Sequence, residues 1–432
     1  MSRVQEKSKN DKAWEILFER FNILDEIHMQ GYFEISSTEI NKVRESRLMA
    51  KFDHYVNLPK IFRDNKLSIL PISRSKYKIG YFDIHHKVSY LQDEENRAFS
   101  FPEEIESLDY ANLYSESSSL NCAFNAGIID DLAGDKVFHT ISGRMSTDKF
   151  EFKVKSSIDS SATYDINVDS SQCEIDGGFE SQDCLLLVEV KNYSVEDFLV
   201  RQLYFPYRLW SSKITKKVIP VLMTYSNDVF SFFLYEFKNE LNYNSISLIE
   251  QRNYVIAPEQ IQSDDIIKVL EIATPISEPD NVPFPQADKF ERVIDLLSLL
   301  VDRDLTKEDI TENYQFNIRQ TQYYTDAGRY LGLIDKYSDP TTNEITFCLT
   351  KEGKKLFKKR HKAKFLSLIE QILKHQVFYR SFKLALEDGA IPSKDRICQI
   401  MVESDLSINA TTASRRSSTV RGWIEWIWSQ ID

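Results

Sequence analysis

The chain has 432 residues, 42% hydrophobic and 28% charged, a composition typical of a folded protein with two or three domains and unlike that of a disordered one. No apolar run is long enough to span a bilayer and the N-terminal residues are polar, which predicts a cytoplasmic protein with no membrane partner. The net charge of −12 does not exclude nucleic acid as a partner, because phosphate binding needs one basic face and not a basic average.

The N-terminal region, residues 1–100, begins with short helices and strands. Trp14, Leu17 and Phe18 recur at helical spacing, and Ser36 three residues before Glu39 is typical of a helix start. Two β-like segments follow, at 67–72 and 77–82. The acidic segment 92–106 then reads as a linker to the next region.

A basic stretch lies within this region. Between Lys42 and Lys78 there are ten Lys and Arg residues against three acids. Such a run is typical of a DNA-binding surface and also of a merely solvated face. As a DNA-binding region, its candidate contacts are Arg44, Arg47, Lys51 and Arg74.

The central region, residues 101–280, changes its hydrophobic period. A helical stretch at 120–132 precedes predicted strands at 149–154, 164–168 and 184–191. Ser194 and Asp197 have the spacing of a capping box that opens a helix. Predicted strands at 218–224 and 229–235 form a hairpin. This order indicates a layered domain, and with its flanks an α+β chain.

The C-terminal region follows a proline-marked linker at 279–285. Residues 286–362 read helix, helix, helix, hairpin, the order of a winged helix-turn-helix, and residues 363–432 read as a second helical module of that type. The first residues of a recognition helix face the major groove, where Arg pairs with guanine and Gln with adenine. The candidate DNA contacts of the two modules are Arg319, Gln320, Gln322, Arg415 and Arg416.

The chemistry is concentrated around one strand of the central region. Glu189 and Lys191 end an apolar strand and project from the same face, because side chains alternate along a strand. Asp176 ends the preceding strand, and the two glycines after it predict a turn that returns the chain beside Glu189. Neighbouring carboxylates repel unless a cation lies between them, and hard oxygen ligands suit Mg²⁺, with Mn²⁺ as a substitute. The carbonyl of Val190 adds a third oxygen, and Lys191 is placed to orient or activate a water.

These residues resemble the PD-(D/E)XK nuclease signature, with Asp176 as the first acid and Glu189-Val190-Lys191 as the E-x-K. Ile175 stands at the proline position, a departure that touches no catalytic role. The resemblance covers about residues 120–236 and implies a PD-(D/E)XK α/β nuclease core in which Gln202 of the following helix contributes to the site. It also implies one further acid on a preceding helix, for which Glu116, Asp130 and Asp131 all remain candidates.

With its appended helix-turn-helix modules, the chain as a whole resembles a type II restriction endonuclease that cleaves double-stranded DNA. Because the chain carries one such motif and a double-strand break needs two cuts, we expect a homodimer, which sedimentation of the free and DNA-bound protein measures. A modification-dependent or structure-specific nuclease and a catalytically inert winged-helix regulator remain alternatives. Twelve glycines and no phosphate-binding loop predict no nucleotide cofactor, and five scattered cysteines argue against zinc.

Overall fold

The computed structural model of the chain describes residues 7–91, 94–256, 261–279, 281–404, 406 and 410–430. The first six residues and two residues of the predicted linker, Gln92 and Asp93, lie outside this part. Helices and strands occur along its whole length, and a seven-stranded mixed sheet forms its centre. The fold class is therefore α+β, as the sequence predicts.

The N-terminal region, here residues 7–80, is a small unit with its own core. Trp14, Leu17 and Phe18 are buried as their spacing predicts, and the ring of Trp14 packs edge-on against Phe62. The Ser36 side chain accepts the Glu39 N–H, which caps a helix there as predicted. Its elements are α1 (Lys9–Arg20), α2 (Ile23–Gln30), β1 (Tyr32–Ser36), α3 (Ser37–Asn41), α4 (Ser46–Met49), α5 (Lys60–Asp64), β2 (Ser68–Pro71) and β3 (Lys76–Gly80), with the strands in the order β1-β3-β2.

The central region, residues 81–256, contains the large sheet. Its elements are β4 (His85–Lys87), β5 (Asn96–Phe99), α6 (Glu116–Asn125), α7 (Ile128–Ala133), β6 (Phe138–Ser146), β7 (Phe150–Lys155), β8 (Thr163–Val168), β9 (Gln172–Glu180), β10 (Cys184–Lys191), β11 (Asp197–Leu199), α8 (Arg201–Ser211), β12 (Lys217–Ser226), β13 (Val229–Phe237) and β14 (Ile246–Ile256). The sheet order is β5-β14-β13-β12-β10-β9-β6, in which β10 runs antiparallel to β9 and parallel to β12. Helix α8 packs on β12, β10 and β9, and α6 packs on β10 and β9.

Strand β10 is buried along its whole length, and its two faces pack against different helices. Leu186, Val188 and Val190 join the core formed with α6 and α7. Leu185 and Leu187 lie on the opposite face, in a cluster that includes Trp210 of α8. The alternation along the strand therefore carries Glu189 and Lys191 toward the α8 side of the sheet.

Three local expectations for this region are wrong. The two glycines after Asp176 do not turn the chain, because β9 continues to Glu180 and the reversal follows it. Ser194 and Asp197 do not cap a helix: Ser194 contacts Asp295, and α8 begins only at position 201. Part of the predicted linker is strand β5, which pairs with β14. In each case a long-range contact prevails over a local signal.

The C-terminal region, residues 261–430, is mainly helical. Its elements are α9 (Ser263–Ile272), α10 (Phe290–Asp302), β15 (Leu305–Thr306), α11 (Lys307–Asn313), α12 (Ile318–Tyr330), β16 (Ile334–Ser338), β17 (Ile345–Leu349), α13 (Lys351–Leu356), α14 (His361–Leu373), α15 (Gln376–Asp388), α16 (Lys394–Glu403) and α17 (Ala410–Trp428). From α10 to β17 the helices and the hairpin follow one another as predicted for a winged helix-turn-helix, and β17 lies between β15 and β16. One continuous buried cluster extends from α9 through this unit to α17.

Among the described helices, none is both long enough and apolar enough to cross a membrane.

We expect Gly178→Ala to destabilise the protein by about 1–3 kcal/mol, because an added methyl in a packed interior forces the backbone to move. A Cβ atom at this position of β9 would lie 2.7 Å from the Cβ of Ile141 on β6, and neither atom can rotate away. The free energy of unfolding in urea measures the effect. Glu174→Ala on the same strand is the control, since its ion pair with Arg144 is half exposed and worth little. Equal stability of the two variants would contradict this packing.

Candidate active site

The pairing between β9 and β10 stops next to the two acids, after Asp176 in β9 and before Glu189 in β10. Gly177 opposite Val188 is the last pair in register. Beyond it, the side chain of Asp176 replaces a backbone acceptor, because its Oδ2 atom accepts the Val190 N–H at 2.8 Å. The expected approach of Asp176 to the end of β10 is therefore present.

A bulge in β9 contributes to this placement. Gly178 lies opposite Ile141 of β6 but Ile175 lies opposite Gly143, so β9 has one more residue than its neighbour between these pairs. An extra residue breaks the regular alternation and re-aims the side chains next to it. The residues concerned are Asp176 and Gly177, and the acid points to the end of β10.

Glu189 and Lys191 lie side by side and are almost fully buried, with exposures of 8% and 5%. The Lys191 Nζ atom donates to Glu189 Oε1 at 2.8 Å. Gln202, the second residue of α8, donates its Nε2 to the same oxygen. The sequence-predicted site residues Asp176, Glu189, Lys191 and Gln202 thus share one location.

A third acid comes from the start of α6. Glu116 lines the same cavity as Asp176 and Glu189. The other two candidates are engaged elsewhere: Asp130 accepts the Val137 N–H, and Asp131 binds Arg97 and the hydroxyl of Tyr254. Of the three acids that the sequence left open, Glu116 is the one at the site.

Sequence reasoning missed a fourth acid, which comes from the N-terminal region. The Oδ2 atom of Asp53 lies 3.7 Å from Lys191 Nζ and 3.5 Å from Lys51 Nζ. Its other oxygen, Oδ1, is buried and accepts no hydrogen bond from any residue that the structure describes. No local signal marks this residue, which in the sequence is one of three acids in a basic stretch.

The carboxyl groups of the site have pKa values displaced in opposite directions. Burial, followed by the charge of Glu116, raises the pKa of Asp176 to about 6, and burial raises the pKa of Glu189 to about 7 against the opposing charge of Lys191. Burial would also raise the pKa of Asp53, but the charges of Lys191 and then Lys51 lower it to about 2. Although burial disfavours the Lys191 ammonium, Glu189 and Asp53 raise its pKa well above the usual value. The site therefore contains one charged lysine and more carboxyl groups than that single charge can neutralise.

The donor set fits a magnesium ion in chemistry but is not arranged as a finished ligand cluster. Among the residues that the structure describes, no group of three or more His, Cys, Asp and Glu side chains has the geometry of a metal site. Asp176, Glu189 and the Val190 carbonyl nevertheless supply hard oxygens at one strand end, as Mg²⁺ requires. Burial is the main cause of the raised pKa values of both acids, and a bound cation would oppose that shift by favouring the charged carboxylates.

The site opens into a cleft of about 1710 Å³ whose walls come from all three regions. Twelve Lys and Arg residues and nine acids line it, a reversal of the excess of 66 acids over 54 bases in the whole chain. Four of those acids are Asp53, Glu116, Asp176 and Glu189, so the walls away from the site are strongly basic. The cleft is therefore the part of the surface suited to a polyanion.

The predicted DNA contacts divide into two groups. Arg47, Lys51, Arg74, Arg319 and Gln322 line the cleft. The remaining four, Arg44, Gln320, Arg415 and Arg416, are not among its lining residues. 

For three of the four residues that do not line the cleft, the structure shows what the side chain contacts instead. Arg44 pairs with Glu308 and Glu312 of α11. Gln320 caps its own helix by accepting the Asn317 N–H, and Arg416 donates to Gln286. Nothing in the structure explains Arg415, which is exposed and does not line the cleft.

One carboxylate joins the three regions behind the site. Asp197 Oδ1 lies 3.0 Å from Nδ1 of buried His54 and accepts Nε2 of Gln315 at 3.0 Å. The other ring nitrogen of His54 contacts the Tyr193 hydroxyl at 2.9 Å. Residues next to Asp53 and Lys191 are thus fixed to each other and to the C-terminal region.

Comparison with known proteins divides the chain into three segments. Residues 11–79, 80–255 and 292–432 match three families, each described as a domain of unknown function: DUF6996, DUF6997 and DUF7226. No curated protein and no solved structure matches the chain.

We expect Glu189→Gln to gain stability over the wild type, by about 2–3 kcal/mol, as the pH rises from 5 to 8 in EDTA. The pKa of Glu189 is about 7 in the folded chain, above its value of roughly 4.3 when unfolded. The favourable contribution of this group is therefore complete below the unfolded pKa and is lost as the pH rises through the folded one. Glutamine does not titrate, so the variant escapes this loss. Urea unfolding at a series of pH values measures the difference.

The matched control is Glu180→Gln, at the far end of β9 in an ion pair with Lys216. Its pH dependence should follow the wild type. Parallel curves for Glu189→Gln and the wild type would contradict the raised pKa.

Proposed function

We propose that the chain is a magnesium-dependent endonuclease of the PD-(D/E)XK type that cleaves double-stranded DNA in the manner of a type II restriction enzyme. The observation that carries the proposal is the meeting of Asp176, Glu189 and Lys191 at one strand end, inside a basic cleft. The order of elements around them agrees with it: helices α6 and α7, a meander, helix α8 and strand β12.

In this proposal the acids bind the ion and the lysine serves the water. Asp176, Glu189 and the Val190 carbonyl would hold Mg²⁺, with Mn²⁺ as a substitute, and Glu116 adds negative charge beside them. When bound, the ion polarises the scissile phosphate and favours ionisation of a water. The ammonium of Lys191 orients that water and offsets charge on the phosphate. Gln202 holds the Glu189 carboxylate in place through its amide.

In this proposal the cleft is the DNA-binding surface. Its basic walls match the phosphate backbone, which provides most of the affinity of DNA-binding proteins. Arg319 is exposed near the start of α12, the helix that corresponds to the recognition helix of a helix-turn-helix. Sequence preference would then come from the C-terminal region and chemistry from the central one.

We expect Asp176→Asn, Glu189→Gln and Lys191→Met each to reduce DNA cleavage in Mg²⁺ by about 10³-fold or more, because each removes an ion ligand or the group that orients the water. DNA affinity should change little, since the basic walls remain. Digestion of methylated and unmethylated plasmid together with a gel-shift titration measures both properties.

Glu180→Gln, outside the cleft on the same strand as Asp176, is the control for a lost carboxylate and should cleave like the wild type. Wild-type rates in Glu189→Gln would refute this active site. Cleavage of the methylated plasmid alone would identify a modification-dependent nuclease. DNA binding without cleavage in either Mg²⁺ or Mn²⁺ would instead indicate an inert regulator.

Two arginines predicted as DNA contacts provide a matched pair. Arg319→Ala should weaken discrimination at one base pair by about 1–3 kcal/mol, because its side chain is exposed in the cleft. Arg44→Ala should leave DNA discrimination unchanged, because its guanidinium is held by Glu308 and Glu312. Binding titrations against a panel of single-base variants of the site compare the two. An Arg319→Ala protein with wild-type affinity and cleavage pattern would exclude this residue from the interface.

A double-strand break needs two hydrolyses, and this chain provides one site. A homodimer on DNA is the form that we propose, since two-fold symmetry matches a palindromic sequence.

A further inference from the structure

Lys191 depends on a carboxylate from another region of the chain. Asp53 follows α4, and its Oδ2 atom lies 3.7 Å from Lys191 Nζ across the junction between the N-terminal and central regions. The Asp53 side chain is 18% exposed and the Lys191 side chain 6%. Burial of this kind makes each charge costly without the other.

In this structure Lys191 donates to Glu189, the acid that would bind the ion in the proposed reaction. Glu189 Oε1 accepts hydrogen bonds from both Lys191 and Gln202. An oxygen that binds a cation has fewer lone pairs for donors, and the positive ion repels the neighbouring ammonium. A buried ammonium then needs a second acceptor, and Asp53 Oδ1 is a buried oxygen that accepts no hydrogen bond from the part of the chain that the structure describes.

We propose that Asp53 is a positioning residue for Lys191, which holds the ammonium at the site when Glu189 binds the ion. This inference rests on the proposed nuclease function. It makes cleavage depend on the docked N-terminal region, although that region provides no ion ligand.

The surroundings of Asp53 favour this role over a general charge effect. His54, the next residue, is fixed to Asp197 and Tyr193 of the central region, so the backbone at Asp53 has a defined position there. Lys51, His54 and Arg201 also act electrostatically on its carboxylate. Of the two lysines, Lys51 is exposed and lies in the cleft wall, whereas Lys191 is buried.

The first test separates rate from affinity. In the full chain, Asp53→Asn should lower kcat by about 10–100-fold, the usual effect of losing a group that orients a catalytic one. DNA affinity and KM should remain near wild type, and Asp53→Glu should recover part of the lost rate. Asp64→Asn, an exposed acid of the same region paired with Lys60, is the control and should leave kcat unchanged. A wild-type kcat in Asp53→Asn would overturn the proposal.

The second test does not use activity. Denaturant midpoints are compared for the wild type, Asp53→Asn, Lys191→Met and the double variant. If the two side chains hold each other, the double variant unfolds at a midpoint close to that of Lys191→Met alone. Midpoint shifts that simply add would overturn the proposal. A wild type that cuts no DNA in Mg²⁺ or Mn²⁺ would refute the nuclease function, and the midpoints would still decide whether Asp53 holds Lys191.

Discussion

The burial of one lysine ammonium among carboxylates is the constraint on which the site depends. Lys191 retains its charge out of water because Glu189 lies 2.8 Å away and Asp53 lies 3.7 Å away, from two regions of the chain. A buried charge without a partner costs several kcal/mol. Lys191 at the end of β10 and Asp53 after α4 therefore stabilise each other. The arrangement leaves more carboxyl groups than ammonium groups, and burial raises the pKa values of Asp176 and Glu189. In the nuclease proposed above, a bound divalent cation would offset this excess of carboxylate.

Strand β10 links this local chemistry to the fold. One of its faces packs against α6 and α7 and the other against α8. The helices that cover it also bring Glu116 and Gln202 to its end. The backbone N–H of Val190 donates to the Asp176 carboxylate where the pairing with β9 stops. A strand buried on both sides by helices can thus present polar groups only at its end, which is where the cleft opens.

The sequence predicted the elements whose signals are local and missed the contacts that are not. The apolar run to Val190 and the alternation after it placed Glu189 and Lys191 on one face, and helical spacing placed Trp14 in a core. The bulge at Asp176 was read as a Gly-Gly turn, because glycine permits both and the pairing of β9 with its neighbouring strands distinguishes them. Asp53 gave no signal at all, since its partner lies far away in the chain. Arg44 was predicted to bind DNA because of its charge, and in the structure its guanidinium pairs with Glu308 and Glu312.

The bond network around Asp197 has a consequence for the order in which the chain folds. Its contact with His54 joins residues 143 positions apart, and its contact with Gln315 joins residues 118 positions apart. Contacts of such high sequence separation form late, because the closure of long loops precedes any gain from them. A chain emerging from the ribosome can fold its N-terminal core before the central sheet is complete. The cleft, however, has no far wall until the helices after residue 290 are made, so it can form only after the two preceding regions have been synthesised.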